Sequence, residues 1–188
     1  MARNPQRRSE LADAGLRVLA REGARGLTHR AIDVEAAVPR GTASNYFKTR
    51  EDVIAGLIER IGERLAPDPT VHAPLAERVP SAELFADYVR DIVARLIDNR
   101  DVTLALFELR LEASRRPEVR ELLGDWQRSG FRADVEFNRA AGLPGGAKEV
   151  ALFHYAIDGL LLDRLTMPID PETSTDEIVD ALVQGLMR

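Results

Sequence analysis

The side chains best suited to meet a polyanion and read it lie between Thr28 and Arg50. Asn45 is an amide able to pair with an adenine edge. Thr42 and Ala43 can touch a thymine methyl, and small side chains here let a helix backbone sit deep in a groove. Arg40, Lys48 and Arg50 flank that stretch where they can reach phosphates, and Tyr46 can donate its hydroxyl to one. Helix starts capped by Thr28 and Thr49 aim backbone N–H groups outward. Arg30, Gly41 and Ser44 complete the candidate DNA-facing set. The base-facing residues would specify sequence, and the phosphate-facing ones would set register. Phe47 falls on the opposite face from Asn45 and is assigned to the core.

These residues need a scaffold, and the sequence supplies one. Asn4 caps a first helix with Pro5 at its first position and Leu11, Ala14, Gly15, Val18 and Leu19 on one face, ended by Gly23 and Gly26. Thr28 caps a short second helix running to about Ala36, with Leu27 and Ile32 as a hydrophobic staple. Four or five residues then lead to a third helix, Thr42–Phe47, too short to be stable without packing. Thr49 caps a fourth, with Asp52 reciprocating and Val53, Ile54, Leu57, Ile58, Ile61 and Leu65 as its apolar stripe. Helix, short turn and short helix is helix-turn-helix spacing, whose second helix enters the major groove. That spacing is also common in all-α proteins at large.

Charge favours the groove reading. The whole chain is acidic, with 26 basic against 31 acidic residues, but residues 1–50 hold ten Lys and Arg against five Asp and Glu, a balance of +5 that leaves −10 for residues 51–188. A basic N-terminal quarter is what a polyanion requires. The 188 residues suffice for one large domain or two small ones. With 45% apolar and 30% charged residues a packed core is expected. The absence of cysteine excludes disulfides, thiolate metal sites and cysteine nucleophiles. With no leader pattern, and with the longest apolar stretch, Ala151–Leu165, broken by His154, Asp158, Asp163 and Arg164, a soluble cytoplasmic protein without membrane contact is expected.

No stretch alternates apolar and polar residues as a half-buried strand does, so the fold class is all-α, with about nine helices. Pro67, Pro69, Pro74 and Pro80 mark residues 67–80 as a linker. The expected domains are a DNA-binding unit over 1–48, a connecting helix over 49–66, and a ligand-binding and dimerisation domain over 81–188. Helices are read there at about 81–99, 101–115, 117–141, 147–166 and 174–187. The last two are apolar around much of their circumference. Ile157, Gly159, Leu160, Leu161 and Arg164 on one, with Ile178, Val179, Leu182, Val183 and Leu186 on the other, are assigned to a homodimer interface, the alternative being intramolecular core.

The run Leu27-Thr28-His29-Arg30-Ala31-Ile32, then Val38-Pro39-Arg40-Gly41-Thr42 and Asn45-Tyr46-Phe47-Lys48-Thr49-Arg50-Glu51-Asp52-Val53 closely resembles the DNA-binding region of TetR-family transcriptional repressors, over residues 5–65. The resemblance implies a three-helix DNA-binding unit, a fourth connecting helix and a divergent helical domain that dimerises and binds a small molecule. It also makes Thr28 a cap, Arg40, Thr42, Ser44 and Asn45 groove-facing, and Tyr46 and Arg50 phosphate contacts. Three departures stand out. Ala37 occupies the usual turn glycine, where a residue with a β-carbon is strained at positive φ. Pro39 replaces a Ser or Thr cap, and Ser44 replaces a frequent tyrosine.

The implied partners are a double-stranded operator of near-palindromic sequence and a small-molecule effector. Phe107, Arg110, Trp126, His154 and Asp158 are the effector-binding candidates. His154 and Asp158, spaced i,i+4, can orient a polar ligand group or satisfy each other in the core. No cofactor or metal is expected: His29, His72 and His154 share no ligand spacing, there is no glycine-rich phosphate loop, and no nucleophile has a nearby base. An enzyme is therefore not expected. The alternatives are an activator or effector-independent regulator, or a helical carrier or enzyme on the same scaffold without DNA binding.

Overall fold

A computed structural model describes residues 4–187. Ten α-helices and no strand occur among them: α1 (Pro5–Gly26), α2 (His29–Glu35), α3 (Thr42–Tyr46), α4 (Arg50–Arg64), α5 (Pro69–Ala76), α6 (Ala82–Asp98), α7 (Arg100–Ala113), α8 (Pro117–Ala140), α9 (Ala147–Leu165) and α10 (Thr175–Leu186). The all-α expectation is met with one helix more than counted. The extra one, α5, lies in the proline-rich stretch read as linker. Asp68 caps it by accepting from the Thr70 N–H, and Pro69 sits in its first turn, where the missing N–H costs nothing.

The caps expected near the N-terminus are present. The Asn4 side chain accepts from Gln6 and Arg7, Thr28 from Ala31, and Thr49 and Asp52 form a reciprocal box at the start of α4. α1 is kinked at Gly23, whose φ of 67° lies in the left-handed region.

The helices fall into two compact units. One contains the residues up to Ala66 together with Asn99–Trp126, and the other contains Pro67–Asp98 and the residues from Gln127 onward. This departs from the expected division at residues 67–80, which placed all of 81–188 in one domain. The reason is packing: α7 contributes Val102, Ala105 and Leu109 to the same buried cluster as Leu11, Leu16, Val18 and Leu19 of α1 and Leu57 and Ile61 of α4. Val119 and Leu123 of α8 also belong to it. Polar contacts reinforce the α1–α4 seam. The Asp13 carboxylate accepts from the Arg60 guanidinium at 2.9 and 2.8 Å and from Arg64 at 3.0 Å. Burial works against ionised Asp13, but these two arginines outweigh it and hold its pKa below the ordinary value of 3.8.

In the second unit Phe85 of α6 meets Phe153 of α9 with ring centroids 4.7 Å apart. Leu84, Val89, Val93, Val150, Leu160, Leu161, Val179 and Val183 are also buried in this unit. Arg90 of α6 joins Asp180 of α10. The turn after α8 is pinned by Asn138, 4% exposed, whose amide points at the carbonyls of Leu143, Pro144 and Gly145 at 3.3–3.5 Å.

Candidate nucleic-acid interface

α3 has five residues, far fewer than the ~12–15 an isolated helix needs to persist in water. Its inward face explains how it survives. Ala43 is fully buried and Phe47, immediately after the last turn, is 1% exposed within the cluster formed by α1, α2 and α4. Gly41 at the N-cap adopts φ 91°, a left-handed conformation that suits glycine, and contributes no side-chain cap. Asp33 of α2 caps in its place: Oδ2 accepts the Gly41 N–H at 2.7 Å and Oδ1 the Ala43 N–H at 2.7 Å. At the other end the His29 Nε2 lies 2.8 Å from the Phe47 carbonyl oxygen.

The outward edge of this assembly carries the candidate DNA contacts. Arg30, Arg40, Asn45 and Lys48 are exposed, and Gly41, Thr42, Ser44 and Tyr46 are half-buried. The Thr42 hydroxyl donates to the Pro39 carbonyl and the Ser44 hydroxyl to the Gly41 carbonyl. Two expected contacts are corrected. Ala43 cannot meet a thymine methyl, because its β-carbon points into the core. Arg50 is not a free phosphate ligand: its guanidinium donates to the carbonyls of Leu27 at 3.1 Å and Ala24 at 2.7 Å, and lies 3.9 Å from the Glu112 carboxylate of α7. It ties the start of α4 to the end of α1.

α2 is itself braced from behind. Arg17 and Arg21 of α1 donate to Glu35 at 2.6 and 3.0 Å, holding that carboxyl below its ordinary range. The strain expected at Ala37 is present: its φ of 51° is the one positive value at a non-glycine among the described residues.

The effector candidates are divided between the two units. Phe107, Arg110 and Trp126 belong to the first unit, while His154 and Asp158 belong to the second. Trp126 packs against the first unit's core, and Arg110 lies 6.0 Å from the Phe107 ring. His154 is exposed, and its Nε2 lies 3.0 Å from the Asp134 carboxylate of α8. A cleft of about 880 Å³ opens in the first unit beside Glu22, Arg25, Glu108, Glu112, Arg115 and Arg116, and none of the five candidates lines it.

The dimer candidates are also redistributed. Leu160, Leu161, Val179 and Val183 are buried within the chain, so their side chains belong to the intramolecular core. Arg164 is turned to the 166–173 loop, donating to the carbonyls of Asp170 and Thr173 at 2.9 and 2.6 Å. Ile157, Ile178, Leu182 and Leu186 are half-buried, and Gly159 faces open space. The apolar side chains left uncovered on α9 are Tyr155, 70% exposed, and Leu162, 51% exposed, which the helical spacing had not singled out.

The model of the tetracycline repressor-like C-terminal domain matches residues 80–188, more than half of the chain. The protein is a member of the TetR family of transcriptional regulators. A TetR-family protein of known structure from Streptomyces coelicolor A3 superposes with a TM-score of 0.73 at 27% identity, covering 98% of this chain and 99% of that one. The multidrug binding protein EbrR in complex with ethidium gives 0.71 at 26% identity, covering 98% and 99%. An uncharacterised HTH-type transcriptional regulator from Xanthobacter autotrophicus is 23% identical over 181 residues, which is 94% of this chain and 88% of the relative. Transcription regulation through a helix-turn-helix DNA-binding region goes with that family. No group of three or more metal-ligating side chains gathers among the described residues, and no helix among them is long and apolar enough to cross a membrane.

Proposed function

We propose that this TetR-family regulator is a homodimeric repressor that occupies a near-palindromic operator and is released by a small molecule bound in its C-terminal region. The observation that carries the DNA half is the two-sided character of α3: Ala43 and Phe47 are locked into the core while Arg40, Asn45 and Lys48 stand exposed on the other edge. Asn45 and Thr42 would read bases, and Arg30, Arg40, Tyr46, Lys48 and the start of α2 at Thr28 would hold phosphates. Two such helices about one duplex turn apart would read a two-fold site. The uncovered stripe of Tyr155, Gly159 and Leu162 on α9 supports the dimer, because a partner helix would cover it.

EbrR, which resembles the whole chain, binds ethidium. That likeness favours a flat aromatic effector here, and the second unit offers aromatic side chains for it: Tyr88 and Phe137 meet edge to face at 5.1 Å, with His72 5.1 Å from Tyr88. The effector would favour a form whose recognition helices are mis-spaced, and linkage requires DNA to weaken effector binding by the same factor, roughly 5–150-fold.

Selection of genomic fragments by the full-length protein tests the reading. With ~6–10 phosphate contacts, affinity for a selected fragment should fall by roughly 10³–10⁵ between about 50 and about 200 mM salt. Selection of no fragment, or binding without salt dependence, would favour a helical carrier instead. Addition of ethidium or a similar dye that leaves fragment affinity unchanged would remove the aromatic-effector half.

A further inference from the structure

We infer that His29 and Asp33, one turn apart on α2, form a two-ended clamp that sets the pose in which α3 meets DNA, so that two residues facing away from the duplex govern its sequence preference. The inference rests on the DNA-binding reading of α3.

The hydrogen-bond needs of α3 define the clamp. Its first N–H groups have no partner within the helix, and neither Pro39 nor Gly41 offers a side-chain cap. The Thr42 and Ser44 hydroxyls donate to the carbonyls of Pro39 and Gly41, directed away from those N–H groups. The Ala43 N–H belongs to a fully buried residue, where an unmet donor is costly. Both carboxylate oxygens of Asp33, a residue only 3% exposed, are used to meet the Gly41 and Ala43 donors. Charge-assisted bonds of this kind are about twice as strong as neutral ones.

The far end is held by the other residue of the pair. The Phe47 carbonyl can only accept, so the His29 Nε2 carries the proton and donates. One helix face thus grips α3 at the first turn and just past the last. α2 is a firm base for this, since Ile32 is fully buried and Glu35 is bonded to two arginines of α1. Without the clamp, the core contacts of Ala43 and Phe47 would still anchor the segment, but they fix neither its tilt nor its rotation about the Phe47 anchor. Base readout depends on both, whereas phosphate contacts from flexible side chains tolerate a change in either.

The test uses the full-length protein, a fragment selected by the wild type, and a scrambled duplex of equal length. The readout is the ratio of the two affinities, with the salt slope on the scrambled duplex measured in parallel. Asp33→Ala and His29→Phe should each reduce the ratio by about tenfold or more, equivalent to ~1.4 kcal/mol. The salt slope should stay unchanged. Asp33→Asn should lose less than Asp33→Ala, because one side-chain oxygen remains to accept. His29→Gln should restore most of what His29→Phe loses, because its amide can still donate to the Phe47 carbonyl. Retained ratios in folded Asp33→Ala and His29→Phe proteins overturn the inference, and so does an equal loss on both duplexes. Should Asp33→Ala fail to fold, the His29→Phe and His29→Gln pair decides. The wild type serves as the control on the underlying reading: if it selects no fragment, DNA recognition by α3 fails and the clamp with it.

Discussion

Replacing Gly56 by alanine sets two effects against each other at the contact that anchors α3. Gly56 lies in the middle of α4, where alanine is favoured over glycine by about 1 kcal/mol. A β-carbon at this position, however, would stand 2.5 Å from Cε1 of Phe47, with Cζ at 3.2 and Cδ1 at 3.3 Å, whereas ordinary contact begins near 3.4 Å. The ring must give way by most of an ångström, and it is 1% exposed, with the Arg8 guanidinium 5.2 Å above its centre. Overpacking of this kind typically costs ~1–3 kcal/mol. The net expectation is a loss of about 0–2 kcal/mol, or a fall in Tm of roughly 2–4 °C for each kcal/mol in a chain of this length. Because Phe47 closes α3, the displaced ring should also shift α3 and, on the proposed reading, weaken DNA binding beyond the stability loss. Thermal melts and a gel-shift titration on one selected fragment measure both. A variant that gains the full helix-propensity benefit and binds DNA like the wild type would refute the idea that Phe47 is pinned against α4.

Ala37→Gly should stabilise the protein by ~0.5–1 kcal/mol, because relief of the left-handed strain of ~1–2 kcal/mol at φ 51° exceeds the extra chain entropy of glycine; urea denaturation measures it. Asp13→Asn should destabilise by ~1–3 kcal/mol at neutral pH through loss of its charged bonds to Arg60 and Arg64. Since the folded pKa of Asp13 lies below 3.8, that stabilisation is present above 3.8 and is lost as pH falls through the folded value, so the gap between wild type and variant should close in acid melts. Asn45→Ala should change the set of fragments selected, whereas Lys48→Ala should weaken binding to all sequences alike and lower the salt slope by about one. Leu162→Glu on the open stripe of α9 should shift the protein toward monomer in sedimentation and weaken operator binding, while leaving the helical content intact.

The N-terminal helices were legible because their signals are local. Asn4, Thr28 and the Thr49–Asp52 pair cap where expected, and of the nominated residues around α3, Arg30, Arg40, Asn45 and Lys48 are exposed. What sequence could not show depends on contacts across the chain. Arg50 is drawn inward by carbonyls 23 and 26 residues away, a demand that no spacing rule reveals. Asp33 had a readable clue, since a buried-face carboxylate one turn after His29 coincides with a recognition helix lacking its own cap, but its role requires knowing that α2 and α3 meet. On α9 and α10, apolar residues around much of each helix left the inward and outward faces undetermined. Packing buried Leu160, Leu161, Val179 and Val183 and left Tyr155 and Leu162 out. α5 was hidden by Pro69, which its first turn accommodates, and by Pro74 inside it.

The burial of Ala43 and Phe47 beside an open edge at Arg40 and Asn45 bears on how such a regulator acquires new targets. Replacements at exposed positions usually alter stability by less than about 0.5 kcal/mol, whereas the inward pair admits almost none. With α3 reading DNA as proposed, mutational drift can therefore rewire which promoters are bound by altering a few outward side chains, with the hydrophobic anchor beneath them left as it is.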